Sequence, residues 1–133
     1  MRPADVEVDG FITVFPSSDP QNANGPTLLI HVRPGQNQPR PGRDDWTVDD
    51  LIAYSKICTH AGCPVGLYQA QSGLLLCPCH QSTFEVADGA QPIFGPATRS
   101  LPQLPLGTDA DGYLIATGDF SAPIGPGFWD QLR

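Results

Sequence analysis

Cys58-Thr-His60-Ala-Gly-Cys63 and Cys77-Pro-Cys79-His80-Gln-Ser82 hold all four cysteines of the chain and two of its three histidines. In each stretch a cysteine stands close to a histidine: Cys58 before His60, and Cys77 before His80. Finger-type zinc sites place about two to four residues between paired cysteines and about three to five between later histidines, and a site that opens on Cys-x-His does not fit that spacing. Two disulfides would use up the cysteines of a secreted chain, but they give no reason for histidines beside them. The residues therefore read as two mixed thiolate and imidazole clamps.

Such clamps are similar to those of a Rieske [2Fe–2S] centre, in which two histidines replace two thiolates on one iron. On that resemblance Cys58 and Cys77 hold one iron, and His60 and His80 the other. The remaining pair, Cys63 and Cys79, lies in the same two loops, and a bridge between them would tie one ligand loop to the other.

The likeness runs past the ligands. The two loops together with Gly95-Pro96-Ala97 resemble the cluster loops and Pro-rich loop of the Rieske subunit of cytochrome bc complexes. The flanking Ala53-Tyr54-Ser55-Lys56-Ile57-Cys58, Pro92-Ile93-Phe94-Gly95-Pro96 and Leu101-Pro102-Gln103-Leu104-Pro105 are most similar to its actinobacterial form. The resemblance implies the soluble head of that subunit: one Rieske domain over 1–133, with a base fold at about 10–57 and 98–133 and a cluster-binding subdomain at about 58–97. It also implies a cytochrome b subunit, a c-type cytochrome and quinol as partners.

Composition leads to the same fold class. A chain of 133 residues suits one domain, and its 15 prolines and 14 glycines leave no room for long helices. Short apolar stretches at Phe11–Phe15, Thr27–Val32, Leu51–Ile57, Leu74–Leu76, Ser82–Val86 and Tyr113–Thr117 read as strands, predicting an all-β antiparallel sandwich. Turns are expected at 69–73 and at Asp88-Gly89. Asp109 to Gly112 should join Leu104–Leu106 to Tyr113–Thr117 as a hairpin.

Met1 to Asp9 is acidic without a core pattern and reads as a tether or edge segment. Pro16–Pro26 and Pro34–Arg43 read as polar surface loops, and Arg33, Arg40 and Arg43 as a cationic patch of solvated character. His31 reads as structural. Asp44 to Asp50 is either a capped helical turn or a loop, and the apolar tail Phe128–Leu132 is expected to dock on the base.

A formal charge of −7 with a single lysine, Lys56, argues against nucleic acid and anionic lipid and favours a basic partner. No apolar run approaches the roughly eighteen residues of a membrane helix, and no signal-type segment opens the chain. The expected unit is therefore soluble, with the anchor of the resembled subunit lying before Met1. A disulfide beside the cluster implies assembly outside the reducing cytosol, in keeping with the outer face of the plasma membrane.

The resemblance also assigns chemistry. Imidazoles are neutral donors, so the histidine-bound iron is easier to reduce; Rieske potentials span roughly −150 to +300 mV, against about −400 mV for all-thiolate plant-type ferredoxins. His80 is the expected contact for a quinol hydroxyl, taking its proton as the electron passes to iron, with His60 the second candidate. Ser82 is expected to donate to a cluster sulfide. Where the family commonly has a tyrosine two residues later, this chain has Phe84; the lost donor implies a lower potential and menaquinol as reductant. Ala61 stands where a larger aliphatic residue usually covers the cluster, and Gly95-Pro96-Ala97 forms a third wall. The other readings are a Rieske subunit of a molybdenum oxidase, which explains the Gly95-Pro96-Ala97 context less well, and a soluble Rieske ferredoxin, which usually lacks the extra cysteine pair.

Overall fold

The computed structural model describes residues 3–14, 26–33, 36–38, 43, 45–59, 63, 65–69, 71–77, 82–95, 100–118 and 120–121. Among them every regular element is a strand, apart from 3-10 turns at Pro3–Asp5 and Val86–Asp88. Strands β1 (Phe11–Val14), β2 (Thr27–His31), β3 (Leu51–Ser55) and β8 (Gln103–Leu104) pair in the order β1-β2-β3-β8. Strands β4 (Leu67–Gln69), β5 (Leu74–Leu76), β6 (Thr83–Glu85) and β7 (Gln91–Phe94) make a second sheet in chain order, and β9 (Leu106–Thr108) with β10 (Leu114–Ala116) a two-stranded ribbon. All pairs are antiparallel. The fold is an all-β antiparallel sandwich.

Strand alternation explains the layering. Successive side chains of a strand point to opposite faces, and in β2 and β3 both faces are apolar, so this central pair is buried on both sides. Leu28, Ile30, Ile52 and Tyr54 share one face, where they join Leu75 and Phe84 of the second sheet in one core. Leu29, Leu51 and Ala53 share the other, where they meet Leu106 and Leu114 of the ribbon in a second core. Each fully buried aliphatic side chain contributes about 1.5–3 kcal/mol before entropy is counted. Beyond packing, Tyr54 Oη donates to the Val86 carbonyl at 2.6 Å, Gln38 N to the Ala87 carbonyl at 2.8 Å, and Val65 N to the Lys56 carbonyl at 2.7 Å. These bonds tie the second sheet to the first.

Several expectations need correction. The N-terminal segment is no tether: Val6 is 3% exposed and belongs to the second core. His31 anchors the same segment, its Nδ1–H donating to the Val6 carbonyl at 2.7 Å, so this histidine is structural as expected. Of the arginines expected as a cationic patch, the two described have separate partners. Arg33 Nε donates to both oxygens of Asp9 at 3.1 Å, whereas Arg43 lies over Trp46 and donates to Gln103 Oε1 at 3.2 Å; Arg40 lies outside the described residues.

Of the open choice at 44–50, residues 48–50 lie in a tight turn. Val48 and Leu51 exchange backbone bonds around Asp49 (φ 50°) and Asp50 (φ 65°), the geometry of a type I′ hairpin turn. Leu104 and Leu106 were expected in one strand but divide between β8 and β9, while the hairpin through Asp109 is present between β9 and β10. There the Asp109 Oδ1 accepts the N–H groups of Asp111 and Tyr113, and Gly112 takes φ 83°. After β6 the chain enters the 3-10 turn, closed by Gly89 at φ 64° where a turn was expected. The 16–25 stretch and the Phe128–Leu132 tail lie outside the described residues.

Candidate metal centre

Cys58 leaves the end of β3, and Cys77 the end of β5. The first loop is closed at its base by Val65 N donating to the Lys56 carbonyl at 2.7 Å and by Cys58 N donating to the Cys63 carbonyl at 2.8 Å; the second by Cys77 N donating to the Ser82 carbonyl at 2.8 Å. One step before Cys58, Ile57 N donates to the buried Ser55 Oγ at 3.2 Å, which fixes the exit of the strand. Both sheets thus deliver a cysteine into the same place: Cys58 and Cys77 are buried in one cluster with Val65, Leu75 and Phe84.

The cysteines divide by chemistry. Cys58 and Cys77 form no disulfide, whereas Cys63 is disulfide-bonded. Two buried thiols brought to one apolar cluster from separate sheets would suit the thiolate half of a [2Fe–2S] donor set. His60, Cys79, His80, Pro96 and Ala97 lie outside the described residues, so within those described no group of three metal-binding side chains occurs. Gly95 is described, exposed and at φ 89°, a backbone value that glycine adopts without strain.

Around the thiols, Ser82 and Thr59 are buried. Phe84 is fully buried in the thiol cluster and has no donor to offer. Tyr54, in that cluster too, has committed its hydroxyl to the Val86 carbonyl. Sequence reasoning missed Tyr68 of β4. Its ring packs against the same core and meets Phe11 edge-on at 6.0 Å between centroids, while its hydroxyl is buried without a hydrogen-bond partner. Burial raises the Tyr68 pKa above the ordinary phenol value; the charge of Asp9 adds to the rise and Arg33 opposes it. No spacing signal marks this residue, since a tyrosine in a three-residue strand looks like any other.

The fold and the paired thiols define a Rieske [2Fe–2S] domain, and the Rieske [2Fe–2S] domain family model matches residues 41–105. Among characterised proteins, the cytochrome bc1 complex Rieske iron–sulfur subunit of Streptomyces lividans is 44% identical over 138 residues, covering 98% of this chain and 81% of that protein. The subunit of the same name from Mycobacterium bovis is 42% identical over 151 residues, again covering 98% of this chain but 35% of the relative, so the chain spans about a third of that protein. Among solved structures, the soluble domain of Rieske protein II from Sulfolobus acidocaldarius superimposes with TM-score 0.63 at 25% identity over 86% of this chain and 72% of that one. The chain belongs to the family of cytochrome bc1 complex Rieske iron–sulfur subunits, in its actinobacterial form. Its cofactor is a Rieske-type [2Fe–2S] cluster.

Proposed function

We propose that this chain is the electron-transfer domain of a quinol:cytochrome c oxidoreductase, taking an electron and a proton from quinol and passing the electron to a c-type cytochrome. The observation that carries the reading is the division of the cysteines: two buried in one cluster outside any disulfide, with a third cysteine in a disulfide. We assign Cys79 as the partner of Cys63. The printed names of the relatives supply the setting, a cytochrome bc1 complex. The disulfide weighs against the soluble ferredoxin reading, because those carriers usually lack the extra pair.

The ligand set we assign is Cys58 and Cys77 for one iron and His60 and His80 for the other. When bound, the cluster supplies one-electron transfer at a potential raised by imidazole ligation. The residues supply the rest. Each imidazole commits one ring nitrogen and leaves the other for a proton. We assign His80 to the quinol hydroxyl, whose hydrogen bond it accepts and whose proton it takes as the electron leaves, with His60 as the second candidate. The Ser82 hydroxyl donates toward the cluster, while Phe84 brings no donor to the thiolates; this favours a low potential and hence menaquinol. Gly95, Pro96 and Ala97 wall the site. The sheet β4–β7 and its loops, about 58–97, form the cluster-binding subdomain, and about 10–57 and 98–133 the base.

No helix among the described residues is long and apolar enough to cross a membrane. We place the domain on the outer face of the plasma membrane. The deciding experiment is electron paramagnetic resonance of the dithionite-reduced protein. A mixed-ligand Rieske spectrum that disappears in both His60→Ala and His80→Ala supports the assignment; a colourless, silent, zinc-loaded protein ends it.

A further inference from the structure

Val14, Thr27 and Ser55 stand side by side at one end of the first sheet, the end from which β3 runs on to Cys58. Lys56 is the next residue. Its N–H donates to the Pro26 carbonyl at 3.0 Å, its carbonyl accepts the Val65 N–H that closes the Cys58 loop at 2.7 Å, and its Nζ donates to Thr13 Oγ1 at 2.8 Å. Backbone and side chain are both held. Among the described residues no carboxylate pairs with this ammonium, in a chain of 14 acidic residues and one lysine.

The charges around it are unevenly placed. From Ile57 to Thr98 the sequence holds no lysine or arginine, and its carboxylates are Glu85 and Asp88. Glu85 stands opposite Leu74, at the end of the β5–β6 pair away from Cys77, and Asp88 follows it in the 3-10 turn. In the first sheet, Asp9 and Asp50 bond through their backbones to His31 and Val32, at the end away from Cys58. These carboxylates thus lie at the far ends of both sheets, whereas one positive group is fixed at the root of the Cys58 loop.

We propose that the Lys56 ammonium, pinned by Thr13, is a fixed positive charge that favours the reduced form of the cluster and raises its midpoint potential. The inference rests on the cofactor and on Cys58 as its ligand, and is independent of the quinol reading. A reduced site carries one more negative charge than an oxidised one, so a cation beside it stabilises the reduced form more. Lysine suits the role as a compact point charge, and a neutral hydroxyl holds it without cancelling it. Because the ammonium is partly solvated, salt screens its influence; the screening length falls from about 30 Å at 10 mM to about 3 Å at 1 M.

The test is protein-film voltammetry of the cluster-loaded subunit at low and at molar salt. At low salt Lys56→Gln should shift the reduced-to-oxidised ratio at a fixed poise about threefold toward the oxidised form, ~28 mV for one electron, and Lys56→Glu about tenfold, ~59 mV. Lys56→Arg should stay within about 1.5-fold of the parent, and Thr13→Val, which releases the ammonium but keeps it, should give a smaller shift than Lys56→Gln. Every variant should retain the parent's electron paramagnetic resonance spectrum, and the shifts should shrink at 1 M salt, which a rearranged loop would not make them do. Arg33→Gln serves as the control, since Arg33 lies at the far end of the first sheet beside Asp9 and should leave the potential unchanged. A Lys56→Glu potential equal to the parent's at low salt, a shift undiminished at 1 M, or an equal shift from Arg33→Gln overturns the inference. So does a Lys56→Gln variant that is reduced more slowly by quinol at an unchanged potential, because the lysine would then serve a partner. A parent without a Rieske spectrum removes the cluster and this inference together.

Discussion

Replacing Phe84 with tyrosine adds one oxygen in the most enclosed part of the site. Phe84 has no exposed surface, stands opposite Leu75 across the β5–β6 pair, and shares its core with Cys58 and Cys77. The new hydroxyl has two fates. If it reaches a ligand sulfur, it donates to a thiolate whose negative charge grows on reduction, so the reduced state gains more and the midpoint potential rises. A hydrogen bond to a charged group is worth about 1.5–3 kcal/mol; if about a third of ~2 kcal/mol distinguishes the two redox states, the rise is on the order of 30 mV for one electron. If it reaches nothing, the potential stays put and a buried orphan costs about 1–3 kcal/mol of stability.

Protein-film voltammetry and thermal melting together separate these outcomes. We expect the higher potential with little loss of melting temperature. A crystal structure of Phe84→Tyr with its hydroxyl within reach of a sulfur, alongside an unchanged potential, would refute the argument that the missing donor sets a low potential. The menaquinol assignment would lose its support with it.

Other consequences can be checked on the same protein. Cys63→Ser should let the cluster assemble but lose it faster on warming, because a bridge closing a loop of about fifteen residues is worth roughly 3 kcal/mol; mass spectrometry of the unreduced parent should find no free thiol at Cys63. Tyr54→Phe strips the Val86 carbonyl of its 2.6 Å partner and should cost about 1–3 kcal/mol in urea unfolding, with the cluster spectrum retained. Tyr68→Phe removes a hydroxyl that has no partner and should leave stability equal or higher. The parent's alkaline behaviour has a definite sign: the raised folded-state pKa of Tyr68 contributes stability that is complete below the unfolded phenol value near 10 and lost as pH climbs through the folded value. Unfolding curves at rising pH should therefore fall less steeply for Tyr68→Phe than for the parent.

The readable part of the fold was whatever the sequence writes with a period or a reactive side chain. Leu28 to Ile30 and Leu51 to Tyr54 are apolar in unbroken runs because both their faces are buried, and the four cysteines announce their loops by chemistry alone. β4 is three residues long, too short for a period, and β7 begins Gln91-Pro92, a pair that argues against a strand unless it lies at an edge. Val6 gave no warning because a single buried residue has no pattern; its burial depends on His31, twenty-five positions away, reaching its carbonyl. The turn at Asp49-Asp50 was undecidable because type I′ geometry usually advertises itself with glycine, and two aspartates adopt it here instead. At the site, residue types pointed to the donors and the resemblance divided ligand cysteines from the bridged pair, whereas the gathering of Cys58 and Cys77 into one buried cluster from two sheets became visible only in three dimensions.

The two faces of β2 and β3 give this molecule an engineering boundary. Leu29, Leu51, Ala53, Leu104 and Leu106 pack on the side away from the thiols, whereas Leu28, Ile30, Ile52 and Tyr54 pack toward them. One backbone layer therefore insulates a compartment devoted to holding the chain together from one devoted to holding electrons. Redesign for heat tolerance can be confined to the first without retuning the second. The same partition gives inherited variation two separate ledgers, so that drift in the ribbon-side core leaves the redox tuning of the other to selection alone.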